Sequence, residues 1–262
     1  MRIRKSHRPS TSSDKLELSC PSKWCDLSQD QLRYVLHLIG SGFYQSAEIR
    51  TLMLIRFCNI EVLRKHTEGF WSCSITQDGK KRFFDLQTWQ VQDMIGQLQF
   101  IDKPEEMDVR LETIQNFHAV NRLLHGLPFY DYLNVELCYQ GWLATKSNER
   151  IEKMASYLYV DDNDEHPDTI KLTAAEVTGT LFWYYHIKTV FARTFSNFFK
   201  PATTMGGNYD HLGAVNAQIR ALTDGDVTKE DFIKGYDTWR CLTELDAKAR
   251  DAAEFKEKYG NK

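Results

Sequence analysis

The chain has 262 residues, of which 42% are hydrophobic and 13% aromatic, and its formal net charge is −3. This composition excludes a wholly disordered chain, because enough apolar surface is present to build a core, and the length suits one large domain or two small ones. The small negative charge also argues against a nucleic-acid-binding protein as a whole.

The N-terminal segment is basic and polar. Residues 1–15 contain five Lys and Arg residues against one Asp, and Ser, Thr and Pro follow where a secretory signal needs an apolar stretch. This pattern predicts a disordered tail over 1–18, and the alternative is a basic arm that touches nucleic acid or an acidic partner. The candidate interaction residues are Arg2, Arg4, Lys5, Arg8 and Trp24.

Two helices, a hairpin and a third helix are predicted over residues 19–103. Ser28 and Gln31 form a capping box, with Leu27 and Leu32 as its hydrophobic staple. Asp78-Gly79 between β-favouring runs is a strong hairpin signal. The predicted elements are a helix over 29–39 that ends at Gly40, a helix over 46–65, a hairpin near 70–84 and a helix over 86–100.

A polar break at 103–106 starts a second, C-terminal region over 104–262. Capping boxes are expected at Thr173 with Glu176 and at Thr228 with Asp231. The predicted helices cover 110–125, 130–145, 148–159, 173–199 and 229–258, and 203–208 is predicted to be a flexible loop.

These elements predict a mainly α fold, a multi-helix bundle with a small β-hairpin insertion near residues 70–84. The alternative for the domain organisation is that 19–103 and 104–262 form one continuous domain. The helix over 173–199 is apolar and long enough to span a bilayer, but His186, Lys188 and Arg193 lie inside it. Those charges favour a central bundle helix, and no membrane association is expected.

The search for catalytic and metal-binding motifs finds no phosphate loop, nucleophile elbow or zinc-protease motif. Cys20 and Cys25 have the spacing of half a zinc site, but four ligands are needed and no second pair is suitably spaced. The six cysteines therefore predict reduced cytosolic thiols, with no metal and no cofactor. The acidic stretch 161–168 lacks the glycine of a calcium loop and is expected to be a solvated connector.

Three polar side chains are weak candidates for an enzyme site assembled from distant residues, namely Glu112, His118 and His186. His118 and His125 fall on one face of the predicted helix over 110–125, two turns apart, which is too far to share a metal. The aromatic run 182–185 has few basic neighbours, so core packing is favoured over a base-stacking platform.

Several segments resemble small helical proteins from the structural-gene region of tailed phages and prophages, of the tail-assembly-chaperone type. The similar stretches are Pro21–Ser28, Leu127–Tyr132, Arg220–Thr228 and Leu242–Lys248. They are helix starts and packing turns, and they carry no catalytic residue. The hairpin around Gly79 departs from the shorter helical members.

The resemblance implies a non-enzymatic phage or prophage morphogenesis protein in the bacterial host cytoplasm. It would act through protein–protein contacts with phage structural proteins of the tail-tube or tape-measure type, and a homo-oligomer is a further option. Nucleic acid is not an expected partner except through the N-terminal arm. The alternatives are a virion component, such as a connector or adaptor with a basic arm, and an enzyme with an unrecognised site.

Overall fold

The computed structural model describes residues 16, 18–77, 79–200 and 211–259. Within these ranges the fold is mainly α, with nine helices and two small three-stranded antiparallel sheets. The predicted fold class is therefore confirmed. The chain divides into two compact units, Met1–Met107 and Asp108–Lys262.

The N-terminal unit packs helices against one antiparallel meander. The strands follow each other in the order β1-β2-β3, so each pairs with its neighbour in the chain. Short 3-10 turns lie before the first helix and after the last one. The elements are α1 (Gln29–Ser41), α2 (Ser46–Phe57), β1 (Ile60–Lys65), β2 (Phe70–Gln77), β3 (Lys80–Gln87) and α3 (Thr88–Gly96).

The start of α1 is the predicted capping box. The Ser28 hydroxyl accepts the Gln31 backbone N–H at 3.3 Å, and the Gln31 side chain accepts the Ser28 N–H at 2.9 Å. The helix ends slightly later than predicted, since Gly42, and not Gly40, takes the left-handed conformation with φ 69°. That conformation costs glycine little because it has no β-carbon.

The second predicted helix, 46–65, is wrong in its last part. The helix ends at Phe57, and Asn59 has φ 52°, a left-handed conformation that turns the chain away. Residues from Ile60 onward form a strand, with Ile60 opposite Ile75. The predicted hairpin is confirmed as β2 and β3, and β1 makes it a three-stranded sheet. Likewise the third helix starts only at Thr88, because the residues before it belong to β3.

The C-terminal unit contains most of the helices. The helices predicted over 130–145 and 148–159 are confirmed, whereas the helix predicted over 173–199 ends earlier, at Thr194. A helix that was not predicted follows residue 210. The elements are β4 (Thr113–Ile114), β5 (Phe117–Ala119), α4 (Phe129–Thr145), α5 (Asn148–Leu158), β6 (Tyr159–Val160), α6 (Ala174–Thr194), α7 (His211–Thr223), α8 (Glu230–Lys234) and α9 (Thr238–Tyr259).

The helix predicted over 110–125 is wrong. Strands β4 and β5 form a tight hairpin, in which Ile114 lies opposite Phe117, and β5 also pairs with β6. The turns that follow are local, since the Asn121 side chain accepts the backbone N–H groups of Leu123 and His125 at 3.0 and 3.3 Å. An asparagine that satisfies the backbone in this way competes with helix formation.

The helix predicted over 229–258 is broken between α8 and α9. The break exposes backbone groups that serve other segments: the Tyr236 carbonyl accepts the Phe129 N–H at 2.8 Å. The Asp237 carboxylate accepts the Gly126 N–H at 2.7 Å and the Arg240 N–H at 3.0 Å. These long-range bonds tie the start of α9 to the segment before α4.

Helix α6 carries the aromatic core of this unit. Trp183, Tyr184 and Phe191 are buried, and the Trp183 indole N–H donates to the Arg122 carbonyl at 2.8 Å. In the run 182–185, the two central residues, Trp183 and Tyr184, are buried in the core, while Tyr185 is 43% exposed. Nowhere in the described ranges does a helix combine the length and apolar character needed to cross a membrane.

Two of the predicted capping boxes make a matched stability test. The Thr173 hydroxyl accepts the Glu176 N–H at 3.4 Å, and the Glu176 carboxylate accepts the Thr173 N–H at 2.8 Å, as predicted. The box predicted at Thr228 is wrong: Asp226 is the cap, and its carboxylate accepts the Thr228 N–H at 3.0 Å.

We therefore expect Thr173→Ala to lower the free energy of unfolding by about 1 kcal/mol, the usual cost of losing an N-cap. Thr228→Ala removes no cap and is expected to change it by less than about 0.5 kcal/mol. Urea unfolding followed by circular dichroism measures both. Equal losses in the two variants would contradict this assignment of the caps.

Candidate functional site

A groove in the C-terminal unit is the candidate site that the described residues support best. It has a volume of about 600 Å³, a size typical of ligand and peptide sites. Four helices and the segment after α6 surround it, and we call it the C-terminal groove. Its lining residues are Tyr132, Leu133, Glu136, Leu137 and Gln140 of α4, Lys188 of α6, Phe198, Phe199 and Lys200, Ala214, Val215, Ala217, Gln218 and Ala221 of α7, and Leu245 of α9.

The side chains of α7 explain why space remains there. Ala214, Ala217 and Ala221 recur three and four residues apart, so they lie on one face of the helix. Each contributes only a methyl group to the groove. Larger apolar residues of α4, such as Leu133 and Leu137, also line the groove. Small residues on one wall leave a volume that larger ones would fill.

An ion pair closes the floor of the groove. Lys188 Nζ lies 2.7 Å from Glu136 Oε1 and 2.8 Å from Oε2, and both side chains are about three-quarters buried. The Tyr184 hydroxyl donates to Oε2 at 2.6 Å, and the Gln140 amide donates to Oε1 at 2.6 Å. The carboxylate thus accepts four hydrogen bonds, which compensate its removal from water.

These contacts set the ionisation of the cluster. Burial by itself would raise the pKa of Glu136, but the Lys188 charge and the three donors outweigh it and lower the pKa below its ordinary value. Burial, helped by the Glu136 charge, raises the pKa of Tyr184. Near neutral pH Glu136 is therefore a carboxylate and Tyr184 a neutral phenol. With all its oxygens occupied by donors, Glu136 is poorly placed to act as a general base.

Gln218 presents an unsatisfied polar group at the groove. Its side-chain oxygen is buried and has no hydrogen-bond partner among the residues that the structure describes. A buried acceptor without a partner costs roughly 1–3 kcal/mol, so a donor that reached it would be bound favourably. At the rim, Lys200 and Ala217 are exposed, so the described residues leave the groove open on that side.

Asp246 of α9 fixes the aromatic edge of the groove. Its carboxylate accepts the backbone N–H groups of Asn197 and Phe198 at 2.8 and 3.0 Å and the Asn197 side-chain amide at 3.0 Å. Burial opposes ionisation, but these donors outweigh it and lower the pKa of Asp246. The turn after α6 is thereby held so that Phe198 and Phe199, with ring centroids 4.9 Å apart, line the groove.

Of the residues predicted to mediate interactions, only Trp24 lies within the described part of the chain. Arg2, Arg4, Lys5 and Arg8 lie outside the described residues, and so do most of the predicted 1–18 tail, the 203–208 loop and Asp78 of the hairpin turn.

Trp24 is a core residue and not a surface contact, which corrects the prediction. It is 1% exposed, its indole N–H donates to the Lys103 carbonyl at 3.1 Å, and its ring packs edge-on against Phe100 at 5.3 Å. A partner could reach this side chain only by opening the N-terminal unit. Its position before the first helix gave no indication of the partners that bury it.

The three weak enzyme candidates occupy different elements. Glu112 precedes β4 and pairs with Arg110 at 3.0 Å, while His118 in β5 lies 2.9 Å from Asp162. His186 lies on α6, among its apolar neighbours. The helical spacing expected for Glu112, His118 and His125 does not apply, because that segment forms strands and turns.

No group of three or more His, Cys, Asp or Glu side chains is arranged to hold a metal ion in the part of the chain that the structure describes. Cys25 is exposed, whereas Cys20 is partly buried. In the acidic stretch 161–168, Asp161 accepts the backbone N–H groups of Asn163 and Glu165 at 2.8 and 3.0 Å. This carboxylate therefore caps a local turn.

One polar chain on the N-terminal sheet contains the residue types of a catalytic triad. His66 Nε2 lies 2.9 Å from the Ser72 hydroxyl, which donates to Asp85 at 2.9 Å. In a nucleophilic triad the histidine lies between the serine and the carboxylate. Here the serine lies in the middle and its proton points to Asp85, so His66 is not placed to remove it. This series of hydrogen-bonded side chains instead links β2 to β3.

Sequence reasoning missed the groove because it depends on α7 and on contacts between distant residues. One signal was present: Lys188 interrupts an apolar helix, and a charge in such a helix needs a partner. The sequence did not identify Glu136, 52 positions away, as that partner.

Comparison with known proteins finds no family model, no curated protein and no solved structure that matches the chain. A functional inference therefore has to start from the side chains of the groove.

Proposed function

We propose that this chain is a non-enzymatic binding protein whose C-terminal groove holds an apolar segment of another protein. The groove itself carries the proposal: an open, mostly apolar space with a fixed aromatic edge and a neutralised ion pair on its floor. Glu136 and Lys188 satisfy each other, so a partner is not required to supply a charge. An apolar segment suits such a lining best.

The chemistry of the groove favours one kind of side chain in that segment. Gln218 offers a buried oxygen that has no hydrogen-bond partner among the described residues, in a groove that is also lined by apolar side chains and by Phe198 and Phe199. Tryptophan and tyrosine combine a large apolar ring with an N–H or O–H donor, and they are common anchors of protein interfaces. We therefore infer that the bound segment inserts a tryptophan or tyrosine that donates to Gln218.

The biological setting comes from the sequence resemblance to tail-assembly-chaperone-like proteins. In that setting the chain acts in the bacterial host cytoplasm and covers an apolar segment of a tail-tube or tape-measure subunit until assembly. A groove that shields apolar side chains from water supports such a role, because exposed apolar segments aggregate.

Co-expression with the tail-tube and tape-measure subunits encoded by the same phage or prophage tests the proposal. Ala217→Glu places a charge at the open side of the groove, and Asn216→Glu, on the next exposed position of α7, is the matched control. We expect wild type and Asn216→Glu to recover a tail subunit, and Ala217→Glu to recover about tenfold less, because burying an unpaired charge is costly. Equal recovery by both variants would contradict the role of the groove.

Mass spectrometry of purified particles tests the chaperone role separately. A chaperone leaves the finished tail, so the chain is expected to be missing from particles. Detection at a fixed copy number would overturn the chaperone role and favour a connector or adaptor in the virion. Recovery of no phage structural protein from the co-expression would overturn the phage setting itself.

A further inference from the structure

Two cysteines from distant parts of the sequence meet in the N-terminal unit. Cys58 directly follows α2 as its C-terminal cap and is 6% exposed, and Cys20 lies in the segment before the first turn and is partly buried. Cys58 Sγ lies 3.4 Å from the carbonyl oxygen of Ser19, the neighbour of Cys20, so the Cys58 thiol lies against the backbone next to Cys20.

The pairing differs from the one suggested by sequence spacing. Cys20 and Cys25 are the closest cysteines in the sequence, but the Cys25 side chain is exposed. Cys20 instead lies against a residue 38 positions away, because the segment before α1 returns to the end of α2. The Ser19 carbonyl belongs to the peptide group that joins Ser19 to Cys20, so this contact brings Cys58 Sγ close to Cys20, as a disulfide between the two residues requires.

We propose that Cys20 and Cys58 are a redox-active thiol pair that a small-molecule disulfide, of the oxidised-glutathione class, converts into an intramolecular disulfide. In the first step one of the two thiols, as a thiolate, attacks a sulfur of the oxidant and releases one small thiol, leaving a mixed disulfide. In the second step the other thiolate attacks the protein sulfur of that mixed disulfide and releases the second small thiol. The two cysteines lose two protons and two electrons, and the oxidant is reduced to two thiols.

The proximity of the two cysteines assists this chemistry through their pKa values. The hydrogen bond from Cys20 lowers the pKa of Cys58, even though burial acts in the opposite direction. The same bond, together with burial, raises the pKa of Cys20. One sulfur therefore becomes a thiolate more readily while the other keeps its proton nearby, and the thiolate is the reactive form.

The bond would tie the segment before α1 to the end of α2. A disulfide stabilises a fold mainly by restricting the unfolded chain, so the oxidised protein is expected to melt at a higher temperature than the reduced one.

Peptide mapping without reduction tests the proposal on the purified full-length chain. Trypsin, which cleaves after Lys and Arg, places Cys20, Cys25 and Cys58 in the separate peptides 16–23, 24–33 and 57–64. After incubation with oxidised glutathione we expect 16–23 linked to 57–64, with the loss of two hydrogens. Cys25→Ser should leave this link intact, whereas Cys20→Ser and Cys58→Ser should abolish it.

Two outcomes would overturn the proposal. One is a wild-type chain that carries glutathione on Cys20 or Cys58 but never forms the link. The other is a link between 16–23 and 24–33. Melting curves under reducing conditions show whether the serine variants are folded, and the wild-type map decides the question even where a variant is not.

Discussion

Replacing Trp24 with alanine is expected to lower the free energy of unfolding of the N-terminal unit by about 3–5 kcal/mol. The side chain is 1% exposed, so the change leaves a cavity where the ring packs against Phe100, and it leaves the Lys103 carbonyl without its indole donor. Urea unfolding combined with hydrogen–deuterium exchange of peptides from α1 to α3 assigns the loss to this unit.

Trp24→Phe is the matched control. It keeps an aromatic ring against Phe100 but removes the N–H, and we expect it to cost about 1–2 kcal/mol. If Trp24→Ala left stability unchanged and reduced only the recovery of a partner, Trp24 would be an interaction residue after all. The buried position in the structure would then be wrong.

The second large effect concerns the ion pair on the floor of the groove. We expect Glu136→Gln and Lys188→Met each to lower the free energy of unfolding by about 2–3 kcal/mol, because each leaves a largely buried charge unpaired. The expected loss is smaller than the usual loss for a fully buried ion pair, because both side chains are about one quarter exposed. The double variant has no orphaned charge and should cost about as much as one single variant.

The double-mutant cycle, measured by urea unfolding, should therefore give a coupling of about 2 kcal/mol. Additive single effects would show that the two charges do not stabilise each other.

The contribution of the ion pair to stability should also depend on pH. In wild type the lowered pKa of Glu136 stabilises the fold above the unfolded pKa, and this stability is lost as the pH falls through the folded pKa.

In Lys188→Met we expect the ionisation of Glu136 to have the opposite effect on stability. Without the ammonium, burial dominates and raises the pKa of Glu136, so the variant becomes relatively more stable when acid protonates the carboxyl group. The difference in stability between wild type and Lys188→Met should therefore shrink on acidification. A difference that grows as the pH falls would contradict this account of the cluster.

The elements that sequence reasoning predicted well are those that local hydrogen bonds define. Ser28 and Thr173 cap their helices through residues three positions away, so the interaction is contained in the local sequence. The fold class follows from the same helices. The hairpin was visible because its turn and both of its strands are contiguous.

The failures occur where a distant segment decides the conformation. Residues 117–119 form a strand because His118 and Ala119 pair with residues 159 and 160, some 40 positions away. Local apolar spacing cannot show that partner. Trp24 is similar, since the carbonyl that receives its N–H is 79 positions along the chain. Tertiary contacts overrode the local pattern in both cases.

The groove was the least predictable feature. It requires α7, which the sequence pattern did not reveal, together with a pairing between α4 and α6 and a turn held by Asp246. What could be predicted was that Lys188 needs a counter-charge. The structure identifies Glu136 in that role and shows that the pair borders an open apolar space.

Hydrogen–deuterium exchange of the chain, alone and in complex with a co-expressed tail subunit, tests the central claim most directly. We predict slower exchange on binding in 132–140, 198–200 and 214–221, the segments that line the groove. Ala217→Glu should lose this protection and Asn216→Glu should keep it. Protection that appears only in the N-terminal unit, with no change in those three segments, would contradict the proposal that the groove is where the partner binds.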